Sequence, residues 1–114
     1  MPPDIKSAFW NLVRMGKADF PPAAFEFTYR VIRQASRRAG GYRHLDPVEA
    51  GTAFRAAAAL EFGKLAPWVL EHWGLKSGRD LGHLIGLLAK QNCLTLRAGE
   101  SMEEYAIIGP FQFE

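Results

Sequence analysis

Histidines, carboxylates and a lone thiol are the residues through which this chain could do chemistry, so their spacing comes first. His44, His72 and His83 are separated by 28 and 11 residues and no cysteine pair accompanies them. Metal sites draw on tighter sets, such as two cysteines or two histidines a few residues apart, so packing and capping roles are expected for the three rings and no metal or other cofactor is expected. Cys93 is the single cysteine. It has no adjacent basic residue to lower its pKa and no partner for an internal disulfide, so it reads as a small buried apolar residue. No paired carboxylates, nucleophile elbow or glycine-rich phosphate loop is present, and the chain is expected not to be an enzyme.

Two other patterns could act by binding. Gly78, Gly82 and Gly86 recur at steps of four, which strips side chains from one edge of a helix. A glycine inside a helix costs about 1 kcal/mol, so three together mean that something packs closely there, either another part of the chain or a partner. Arg30, Arg33 and Arg37 recur at helical spacing with Arg38 beside them and Arg43 a little further on. That stripe is either a solvated face or a surface for an acidic partner, with Tyr42 and His44 close by. The expected function is therefore a regulatory adaptor that binds an unidentified protein or a second copy of itself, through the glycines and the arginines.

Elements that would hold these residues can be read from periodicity and punctuation. Ile5, Ala8, Phe9, Leu12 and Val13 predict a first helix over residues 4–15 that Gly16 ends. Pro21 and Pro22 precede a second, over residues 22–39, with Ala24, Phe27, Thr28, Val31, Ile32 and Ala35 as its apolar stripe. Asp46, Pro47 and Glu49 form a strong start signal for a third helix, which reaches Phe62 and packs through Val48, Phe54, Ala57, Ala58 and Phe62. Gly51 and the alanines 56–59 leave room for another helix to approach. Pro67 opens a short fourth helix that Gly74 closes. Ser77 and Asp80 then repeat the capping pattern before a fifth helix whose Leu81, Leu84, Ile85, Leu87 and Leu88 must be largely buried. Trp10, Trp68 and Trp73 fall at apolar positions and read as core.

Beyond Asn92 the pattern alternates, over residues 93–97 and again over 105–108, predicting a β-hairpin, and the aromatic tail Phe111-Gln112-Phe113 is expected to fold back on the helices. The expected fold is mainly α, five helices with a C-terminal β-hairpin, in one domain spanning residues 1–114. Residues 64–109 would form a winged-helix-like unit around the Gly74 turn.

A winged helix raises DNA binding as the alternative, a transcriptional regulator reading through Arg79, His83, Lys90 and Arg97. Charge opposes it. The chain carries +2 overall, but residues 1–63 hold +3 and residues 64–114 hold −1, with Glu100, Glu103 and Glu104 in the wing. Carboxylates near phosphate oppose binding, so nucleic acid is a disfavoured partner. Nowhere do about 18 uncharged apolar residues follow one another, and the start MPPDIKSAFW has no basic segment followed by a long apolar run, so a cytoplasmic protein with no membrane partner is expected.

From Phe20 to Phe113 the chain resembles a family of small bacterial proteins of unknown function, best known from planctomycetes and verrucomicrobia. The resemblance rests on Phe20, Ala24, Phe25 and Phe27, on His44 ahead of the third helix, and above all on Phe62, Gly63, Ala66, Val69, Leu70, Trp73 and Gly74 followed by Asp80, Leu81 and Gly82. Glu103, Glu104, Tyr105 and Phe113 match its acidic hairpin and aromatic end. Asp19 stands where that family has a basic residue, and the connector at residues 38–42 is short. The resemblance implies the same small fold and assigns no activity, cofactor or catalytic residue.

Overall fold

The computed structural model describes residues 5–38, 45–91, 94, 104, 105 and 108–113. Helix α1 spans Ile5–Arg14, α2 Pro22–Arg38, α3 Pro47–Phe62, α4 Ala66–Trp73 and α5 Gly78–Lys90. The expectation of five separate helices needs correcting. A 3-10 turn at Gly63–Leu65 joins α3 to α4 with no loop between them, so the described residues make four helical bodies.

Local signals explain where these bodies begin and end. At Asp46 the capping box forms in full: the Glu49 backbone N–H donates to Asp46 Oδ1 at 2.8 Å, and the Asp46 N–H donates to Glu49 Oε1 at 3.1 Å. The second pattern works differently. Ser77 makes no side-chain cap, and Asp80 Oδ2 instead accepts the Lys76 N–H at 2.9 Å, bracing the turn ahead of α5 while its charge sits in the first turn, where the helix dipole favours it. Gly74 adopts φ 79°, the left-handed conformation that a side chain would penalise. The Gly74 N–H then reaches Glu71 O and the Leu75 N–H reaches Leu70 O, a Schellman close that also buries Leu70 and Leu75.

Helix α2 packs against α1, α3 and α5, and the core lies around it. Leu12, Phe25, Phe54, Leu70, Leu75, Leu81, Leu84 and Leu88 are fully enclosed, and Ile85 and Leu87 join them, so α5 is buried over the face expected of it. Phe27 gathers Phe54, Phe62 and Trp73 within 5.6 Å, centroid to centroid. Thr28 is 0% exposed in this apolar setting, and its hydroxyl oxygen has no hydrogen-bond partner among the described residues.

No strand or sheet exists among the described residues, which overturns the C-terminal β-hairpin and, with it, the winged-helix-like unit at residues 64–109. Residues 93, 95–103, 106 and 107 of that expectation, Cys93 among them, lie outside the described residues. Glu104, Tyr105 and Ile108 are in 3-10 turns. The Tyr105 carbonyl and the Ile108 side chain both come against Gly78. The tail does fold back. Phe111 meets Phe54 at 5.3 Å, its N–H bonds Lys76 O, and the Gly78 N–H bonds Gly109 O, leaving one isolated bridge between Ser77 and Pro110.

Candidate binding surface

Each residue set proposed from the sequence can now be placed. On the glycine edge, a Cβ at Gly78 would collide with the Tyr105 carbonyl oxygen and stand 2.5 Å from Ile108 Cβ. Gly82 is buried and Gly86 half-buried. A Cβ at Gly51 of α3 would lie 2.7 Å from Ile108 Cδ1, so the space expected there for another helix is filled by one isoleucine. Ile108 sits against α3 at Gly51 and against α5 at Gly78. At Gly78, the close approach that the glycines allow is used within the chain.

The arginine stripe divides. Arg30 donates through Nη2 to both carboxylate oxygens of Glu61, at 3.0 and 3.2 Å, which links α2 to α3. Its guanidinium also lies 5.5 Å from the Phe27 ring. Arg33 is half-buried, bonds the Tyr29 hydroxyl at 2.8 Å and lies over that ring. Arg37 and Arg38 are exposed at the end of α2. Tyr42, Arg43 and His44 lie outside the described residues. Arg30 and Arg33 thus have a structural task.

Arg79, His83 and Lys90 are exposed at helical spacing along α5, whereas Arg97 lies outside the described residues. His83 Nε2 is 2.7 Å from Asp19 Oδ2, and its ring lies 5.5 Å from Phe20, fastening α5 to the connector before α2. His72 stacks on Trp68 at 5.4 Å with an interplanar angle of 11°. The two described histidines therefore serve separate places, and no group of three or more metal-ligating side chains occurs among the described residues.

No family model, curated protein or solved structure matches this chain.

A surface that the sequence reading missed lies where α3 turns into α4. Leu60 is 90% exposed, Leu65 63% and Trp68 64%, and Val48 at the start of α3 is also open. Trp68 was expected in the core, as was Trp10, and both stand in solvent; Trp73 is half-buried against the aromatic cluster. A signal existed. Apolar residues occur all round α3, at Val48, Ala50, Phe54, Ala58 and Leu60, and a helix of that kind must leave some of them uncovered unless it is enclosed on every side. Glu61, which pairs with Arg30, follows Leu60 in the chain.

Proposed function

We propose that this chain is a small non-enzymatic module that acts by binding another protein, either a different chain or a second copy of itself. The observation that carries the reading is the set of large apolar side chains uncovered at one bend, Leu60, Leu65 and Trp68. Burying a leucine is worth roughly 1.5–3 kcal/mol, and grouped apolar residues with a charged rim mark association surfaces. Tryptophan is enriched among the residues that dominate such surfaces because it offers a large rigid area. Arg30 and Glu61 at the rim would set orientation more than affinity.

The test compares the full chain with Leu60→Lys combined with Trp68→Ala. Sedimentation reads self-association, and affinity capture from the native cell reads other partners. Loss of the complex by about tenfold or more, with an unchanged melting temperature, is expected; a complex that survives the double substitution overturns the reading.

A further inference from the structure

Helix α4 sets its outward residues along one short seam. Pro67 and Trp68 stand near its start, Lys64 lies in the 3-10 turn four residues before Trp68, Glu71 lies three residues after it, and all four are exposed. Steps of three and four along a helical path keep residues on one face. The seam therefore reads cation, apolar pair, carboxylate, and its midpoint falls between Pro67 and Trp68. His72 stacks on the indole at 5.4 Å, and a ring held this way loses less rotamer freedom on docking. The charges nearby are mixed. Residues 55–72 hold Arg55, Glu61, Lys64 and Glu71, two of each sign, and Glu61 is already paired with Arg30 of α2.

We propose that a second copy of this chain covers the seam, with the two α4 helices antiparallel across a two-fold axis between Pro67 and Trp68. The proposal rests on the reading of this surface as a binding site and names its occupant. Such an axis sets Trp68 against the partner's Pro67 and Lys64 against the partner's Glu71, and by symmetry each contact forms twice. Charge argues against other occupants. A nucleic-acid backbone or an anionic headgroup surface is served by cations alone, which Glu61 and Glu71 oppose, whereas a second copy brings the same order of charges reversed. No helix among the described residues is long and apolar enough to cross a membrane.

The experiment is sedimentation of the full chain from micromolar to submillimolar concentration, where a reversible dimer is expected. Lys64→Glu alone sets carboxylate against carboxylate at both contacts, and Glu71→Lys alone sets cation against cation. Each should weaken the dimer about tenfold while the helical circular dichroism stays unchanged, both positions being exposed. Mixed in equal amounts, the two variants restore both attractive contacts, so a heterodimer of the original affinity is expected; one chain carrying both substitutions should also dimerise again. A chain that stays monomeric throughout overturns the proposal. If Leu60→Lys with Trp68→Ala still abolishes capture of a different protein in that case, the binding surface stands and a second copy is not its occupant. A dimer indifferent to the charge substitutions, or variants that fail to recover both when mixed and when combined, overturns it as well.

Discussion

The N-terminal edge of α5 and the bend between α3 and α4 are opposite solutions to the same material. At Gly78 the backbone is bare, and the chain brings Tyr105 and Ile108 onto it. At Leu60, Leu65 and Trp68 the side chains are large, and solvent meets them. Absent side chains invite close approach, which Tyr105 and Ile108 satisfy; the projecting apolar ones stay open. The residues that looked like a docking edge are therefore internal at Gly78, while the open apolar surface lies on residues that looked ordinary.

The largest effect expected from this contrast is at Gly78. Gly78→Ala forces a methyl group into the Tyr105 carbonyl, a backbone atom that cannot swing aside, and should destabilise the fold by about 2–3 kcal/mol in a urea melt. A neutral result would mean that Tyr105 and Ile108 do not seal this edge, and the comparison would fail. A smaller effect of opposite sign is expected at Thr28. Replacing its buried hydroxyl, which has no partner among the described residues, by the near-isosteric valine should stabilise by about 1 kcal/mol, read in the same melt; a loss would show that the hydroxyl has a partner after all. The smallest is at Leu60. Leu60→Lys should leave stability within about 0.5 kcal/mol, because the side chain is already in water, and a larger loss would place Leu60 inside the packing rather than outside it.

What could be read in the sequence depended on how far the cause lay from its effect. The Asp46–Glu49 box and the Gly74 close involve neighbours along the chain, and both ends formed where their residue types require. The buried face of α5 was equally legible because five apolar side chains at helical spacing leave little choice. The hairpin was misread because runs of four or five residues carry too little periodicity to separate a strand from a turn that plugs a gap. The glycine spacing announced a close approach, but its filler comes from Tyr105 and Ile108, which nothing local to α5 identifies. Trp10 and Trp68 were placed inside on residue type alone, although apolar type constrains burial in one direction only.

Ile108 also sets an order of events. Its two contacts reach back 30 residues to Gly78 and 57 to Gly51, whereas α2 pairs with α1 and α3 over short connectors. Local helix pairing precedes such long closures. Refolding should therefore complete the helix pairing around α2 before Gly51 and Gly78 receive the Ile108 side chain.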